Sequence, residues 1–126
     1  MGIDIYLSWK GMSKKQKDRQ ITAFDTTMGR TGYLREAYHG EPYATEKLIP
    51  EARNKTLDPS NLQVPNRLLK QRLPATIKAA IKREQTIYKA KNVTIKSPVI
   101  KSYIDFVALH EKLEKAGKRP RILYSG

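Results

Sequence analysis

Apolar and polar residues alternate at the start of the chain: Ile3, Ile5, Leu7 and Trp9 are separated by Asp4, Tyr6 and Ser8. A period of two marks a half-buried strand, so a strand is predicted over 3–9. Gly11 ends it, and Ser13 with Gln16 reads as a capping box opening a helix over 14–24. Lys14, Lys15 and Lys17 fall in that helix's first turns. The macrodipole disfavours cations there, so they are either solvated or offset by an anionic partner.

Residues 33–38 fit either of two patterns. A short helix closed by Gly40 is preferred; the alternative is a strand with Leu34, Glu36 and Tyr38 on one side. Pro42 and Pro50 bracket a further short element, and 50–63 reads as a surface loop. Pro65 is placed at the start of a short helix ending near Leu73, and Pro74 at the start of a second running over 74–91. Ile77, Ala80, Ile81, Ile87 and Tyr88 form the apolar stripe of that second helix, interrupted by Glu84.

Val93 and Ile95 alternate with Thr94 and Lys96 as a short strand. Ser97-Pro98 then opens a helix to about Ala116, with Gly117 closing it. Its apolar face is Val99, Ile100, Tyr103, Phe106, Val107 and Leu113, with His110 at the centre; Lys101, Asp105, Lys112 and Lys115 lie opposite. A last strand over 121–124 would complete a right-handed β–α–β unit with strand 93–96. The fold class predicted is α+β: a single domain over 1–126, with a small mixed sheet packed by the helices at 74–91 and 98–116.

Composition narrows the chemistry. A chain of 126 residues with 39% hydrophobic content is a typical single domain. Cys is absent, which removes disulfides, thiolate catalysis and cysteine-ligated metals. His39 and His110 are the only histidines, too few for a three-histidine metal site, and neither a metal nor a cofactor is expected. No stretch has the apolar length of a membrane span and the N-terminus lacks a signal pattern, so a cytoplasmic protein without membrane partners is expected.

The formal net charge is +13, unevenly placed. Residues 1–63 carry ten Lys/Arg against eight Asp/Glu, and residues 64–126 carry fifteen against four. Such a field favours an anionic partner: nucleic acid, an anionic ligand or an acidic protein. A solvated lysine-rich surface is the plainer reading. Lys78, Lys82 and Lys89, with Lys70, Arg72 and Arg83 nearby, form the candidate nucleic-acid patch.

The densest polar segment is Gly29–Tyr43, with three glycines, three tyrosines and two arginines. Arg30, Tyr33, Arg35, Tyr38, His39 and Tyr43 are its candidate ligand-binding residues: planar cations for a phosphate or carboxylate, rings for a base or sugar. The competing reading packs Tyr33 and Tyr38 in the core and pairs Arg35 with Glu36 or Glu41. Gly29-Arg30-Thr31-Gly32 resembles the loop with which KH modules clamp a nucleic-acid backbone, though an ordinary turn explains it as well.

Acid–base chemistry has two candidate pairs, His39 with Glu36 and His110 with Glu84, the latter also readable as buried polar residues bonded to each other or to a tyrosine. No nucleophile motif specifies a reaction. The segments GIDIYLSWKGM and GYLREAYHGEPYATEKLIPEA resemble short reading frames of bacteria and their phages. That resemblance covers mainly the first fifty or so residues and implies no particular activity, fold or catalytic residue. It favours an accessory protein acting on nucleotides, nucleic acid or another protein. The expected function is therefore binding of an anionic partner through Gly29–Tyr43, with a small enzyme or a protein-interaction and inhibitor module as the alternatives.

Overall fold

The structure is a computed structural model and describes residues 2–22, 28–38 and 40–126. In chain order it forms β1 (Gly2–Ser8), α1 (Lys14–Thr22), α2 (Met28–Thr31), β2 (Tyr33–Ala37), α3 (Ala44–Leu48), a 3-10 turn (Pro50–Arg53), α4 (Asn66–Thr86), α5 (Pro98–Lys115) and β3 (Arg121–Ser125). The architecture is α+β. Among the described residues there is no helix long and apolar enough to cross a membrane.

The alternation that predicts β1 has a direct structural outcome. Ile3, Ile5 and Leu7 are sealed in the core, while Asp4, Tyr6 and Ser8 face the other way, half-buried. The sheet order is β2-β1-β3, antiparallel at both junctions. On its inner face Leu34 and Ile122 join the three β1 side chains. They pack on Ile100, Tyr103, Phe106 and Val107 of α5 and on Leu69, Ala79 and Ala80 of α4. Each fully buried Ile, Leu or Phe contributes about 1.5–3 kcal/mol relative to exposure.

The predicted capping box is present: the Gln16 N–H donates to Ser13 Oγ (3.1 Å), and the Ser13 N–H to Gln16 Oε1 (2.8 Å). α1 is described to Thr22, and the predicted residues 23–24 lie outside the described residues. α5 follows its prediction closely, with Gly117 left-handed (φ 71°) just beyond it. Ser97 does not cap that helix with its side chain; its Oγ instead accepts the Thr94 N–H.

Four expectations are corrected. Residues 33–38 do not form a helix, because Tyr33–Ala37 pairs along β1, from Tyr6↔Tyr33 to Gly2↔Ala37. The sheet is not mixed and has no β–α–β unit. Residues 93–96 make a turn instead of a strand: the Ser97 N–H donates to the Thr94 carbonyl (3.0 Å) and the Lys96 N–H to Thr94 Oγ1 (3.2 Å). Those backbone groups are satisfied locally, and left-handed Lys89 and Asn92 have already turned the chain.

Pro74 does not begin a new helix but lies inside α4. It occupies the exposed side, where water can satisfy the carbonyl left without an N–H partner, while Leu69, Thr76, Ala79 and Ala80 hold both halves to the core. The end of the apolar stripe is the fourth correction. Ala80 is buried and Ile77 and Ile81 pack against the core as predicted, but α4 ends at Thr86, Tyr88 is exposed, and the buried face also takes in Thr76, Ala79 and Arg83. That face places an arginine in the interior.

The 50–63 loop is anchored at its end, where Leu62 bridges Ile122 in both directions (2.8 and 2.9 Å).

Candidate functional site

β2 determines how the polar segment is distributed. Successive strand side chains point to opposite faces. Leu34 and Glu36 therefore turn inward, while Tyr33 and Arg35 lie on the outer face beside Tyr6 and Asp4. Tyr33 stacks on Tyr6 (4.9 Å between centroids, 14° between planes), and its hydroxyl donates to Asp4 Oδ1 (2.5 Å). It is 1% exposed, and burial first, then the Asp4 carboxylate, pushes its hydroxyl pKa up. Arg35 is partly exposed, 3.9 Å from Asp4, and lines a 240 Å³ cavity with Arg83, Glu84, Tyr88 and Tyr103.

Arg30 lies elsewhere, 3.6 Å from Asp105 and beside Trp9 in a cleft of 170 Å³. Gly29 is not placed as a phosphate clamp would require: a Cβ there would sit 2.0 Å from the Ser102 carbonyl oxygen, so this glycine lets α2 lie against α5. Tyr38 and Tyr43 remain together, edge to face at 6.3 Å, with Tyr38 exposed. His39 lies outside the described residues. The segment thus serves separate surfaces instead of lining one pocket.

Tyr43 opens onto a groove of 530 Å³ between α3 and α4, lined also by Glu41, Glu46, Lys47, Arg53 and Lys82. Here the two groups of candidate residues meet, the tyrosines of the polar segment and a lysine of the α4 patch. Glu46 is paired with Arg53, and neither Lys47 nor Lys82 has a carboxylate, Glu41 included, in ion-pair range among the described residues.

The groove wall is held by a buried charge centre. Glu36 receives the Ala44 N–H (2.8 Å), the Thr45 N–H (3.2 Å) and the Thr45 hydroxyl (2.6 Å). It thereby caps α3, whose own N-cap, Tyr43, has no side-chain acceptor to offer. Arg83 Nε lies 3.1 Å from the same carboxylate, and burial first, then the nearby Glu36 carboxylate, pushes the Tyr103 hydroxyl pKa up. The rest of the guanidinium donates to the carbonyls of Ala37 (2.8 Å), Gly40 and Pro42 (3.1 Å) and covers the Tyr43 ring at 5.0 Å. Arg83 is therefore no member of a solvated basic stripe. It fixes the backbone that presents Tyr38 and Tyr43.

Other cations near the patch are also engaged: Arg72 forks onto Glu51 (both 2.8 Å) and Lys70 pairs with Glu111. Lys78, Lys82 and Lys89 are exposed, with Arg67 on the same side of α4 as the first two. Glu84 and His110 do not meet. Glu84 lies near Val99 and Tyr103, whereas His110 Nδ1 is 3.1 Å from Asn66 Nδ2 at the other end of the antiparallel α4–α5 pair. Burial pushes the Glu84 carboxyl up and the His110 imidazole down. Glu36 is held by the Ala44 and Thr45 N–H groups, the Thr45 hydroxyl and the Arg83 guanidinium; its candidate partner His39 lies outside the described residues.

Sequence reasoning missed Lys47, Arg53 and the organising role of Arg83. The signal for Lys47 and Arg53 was the run of charges around the Pro50 turn; Arg83 gave none, because its acceptors lie more than forty residues earlier. Comparison of the chain with family models, curated proteins and solved structures finds no match.

Proposed function

We propose that the protein binds nucleic acid without sequence preference, over the solvent face of α4 and the adjoining α3–α4 groove. The observation that carries this reading is the uneven use of charge. Asp4, Glu36, Glu46, Glu51, Asp58, Asp105, Glu111 and Glu114 are each engaged in a hydrogen bond or ion pair within the molecule. Lys47, Arg67, Lys78, Lys82, Lys89 and Lys91 have no carboxylate in ion-pair range among the described residues. From Arg67 to Lys82 the cations span about 22 Å of helix, enough to meet several consecutive phosphates. Exposed Tyr38 beside Tyr43 offers a ring on which an unpaired base can stack.

Fluorescence anisotropy with a labelled single-stranded oligonucleotide across a salt series tests the proposal. The parent protein should bind at low salt and release steeply as salt rises. Replacing Lys47, Lys78 and Lys82 together by Gln should make the log–log salt slope shallower by about 2, at ~0.7 per single-strand phosphate. An unchanged slope, or no binding by the parent at about 50 mM salt, where screening extends over roughly 14 Å, would count against it.

A further inference from the structure

At the far end of α4, about 24 Å along the helix from Lys82, lies a second and larger cleft that the reading above does not use. It has a volume of 790 Å³ and is lined by Lys10, Val64, Pro65, Glu114, Arg119 and Arg121, among others. Three of these are cations, and none of the three has a carboxylate in ion-pair range among the described residues. The one carboxylate of the lining, Glu114, is already engaged, its Oε2 accepting the Asn66 N–H (3.0 Å) at the start of α4.

The walls are built before any ligand arrives. The Lys10 N–H donates to the Lys118 carbonyl (2.8 Å), and Ser8 is in register with Arg121, so β1 and β3 hold Lys10 and Arg121 at one rim. The Leu62–Ile122 bridge fixes the approach to Val64 and Pro65 on the other side. Pro120, buried between two arginines, anchors the 118–121 run. These contacts anchor the backbone that carries the three cations, which reduces the ordering cost of binding.

Arg119 supplies a separate observation. Its backbone is left-handed at φ 49°, a conformation that is strained for a non-glycine residue. Two residues earlier Gly117 is also left-handed. Glycine at 119 would remove the backbone strain and lose only the guanidinium.

We infer that this cleft is a binding site for a nucleoside di- or triphosphate, its phosphates held by Lys10, Arg119 and Arg121 and its nucleoside resting on Val64, Pro65 and Pro120. The chemistry fits that class: three cations on an anchored backbone for the phosphate oxygens, apolar side chains for a base or sugar, and a volume within the ~300–1,000 Å³ usual for small-ligand sites. The Gln63 amide, also in the lining, can hydrogen-bond a base edge.

Isothermal titration calorimetry of the full chain with ADP, at near-physiological salt, tests the inference. One saturable site is expected, weakened about tenfold or more by Arg119→Gly and by Arg121→Gln. The paired variant Lys78→Gln/Lys82→Gln should bind ADP like the parent while losing oligonucleotide affinity, which separates this site from the α4 surface. A thermal melt of Arg119→Gly should show an intact fold, since the substitution relieves the positive φ. Absence of saturable binding by the parent, full binding by a folded Arg119→Gly protein, or equal weakening by the α4 pair would each overturn the assignment.

Discussion

Two polar centres occupy opposite ends of the α4–α5 pair, and they solve the problem of burying polar atoms differently. At one end Glu36 and Arg83, both nearly sealed, pair with each other, Glu36 accepting from Ala44 and Thr45 and Arg83 donating to three backbone carbonyls. At the other end His110 and Asn66 are buried without a full countercharge. Asn66 Nδ2 donates to the Val107 carbonyl and approaches His110 Nδ1, and His110 Nε2 makes no hydrogen bond of normal geometry. A buried charge is tolerable only when it is fully paired, whereas a neutral imidazole survives with one nitrogen underused. The first centre is therefore rigid scaffolding for the groove, and the second is responsive to pH.

The largest expected effect comes from breaking the charged centre. Glu36→Ala strands the Arg83 guanidinium in the interior and removes the acceptors at the start of α3. It should lower unfolding free energy by about 3–5 kcal/mol, measured by urea denaturation. Replacing both residues, as Glu36→Leu/Arg83→Met, should recover part of that loss because no lone charge remains. Even a folded double variant should bind oligonucleotides more weakly, since the Ala37, Gly40 and Pro42 carbonyls lose the group that shapes the wall around Tyr43. If Glu36→Ala costs under ~1 kcal/mol, the two centres are not different in kind.

Next in size is a gain. Pro74 lies in α4 between the centres, on the exposed side. Pro74→Ala restores one helical hydrogen bond and should stabilise the protein by up to about 3 kcal/mol, visible as a raised urea midpoint. Neither proposed binding site contains Pro74, so affinities for oligonucleotide and ADP should be unchanged. Altered affinity would show that a kink at Pro74 sets the relative placement of the two ends.

These regions also differ in how far they could be read in advance. β1, the Ser13–Gln16 box and α5 were legible because their signals are local: a period of two, a three-residue reciprocal bond, a proline start and a glycine stop. β2 was not, since five residues with two apolar neighbours carry no clear period, and pairing with β1 decides their state. Pro74 misled because a propensity penalty of a few kcal/mol yields to packing on both sides of it. Arg83 was hidden most thoroughly. Its sequence neighbourhood is that of a solvated basic helix, and only the carboxylate of Glu36, 47 positions earlier, makes its burial possible. The same holds for the candidate residues of Gly29–Tyr43: composition marked them as polar and aromatic, but β2 pairing put Tyr33 and Arg35 on the outer sheet face while Arg30 and Tyr43, outside the strand, reached other surfaces.

The smallest effect should come from the neutral centre, and its sign is fixed. Burial lowers the His110 pKa below its ordinary 6.5, with the Glu114 carboxylate and the Val64 backbone opposing without cancelling it. Above about pH 6.5 the ring is neutral in both folded and unfolded chains, and its contribution to stability is complete. As pH falls below that value the unfolded chain takes up a proton that the folded chain resists, so stability declines toward the folded pKa. Glu84, raised by burial, acts in the opposite sense: its contribution is complete below 4.5 and is lost as pH rises through its folded value. Urea midpoints between about pH 7.5 and 5.5 should therefore fall, and fall less in His110→Gln, with His39→Gln as the background that removes the other imidazole. Because Glu114 and Val64 also line the cleft of Arg119 and Arg121, protonating His110 should disturb ADP binding before it disturbs oligonucleotide binding on α4. Parallel pH profiles for the parent and His110→Gln would remove the distinction between a saturated and a responsive centre.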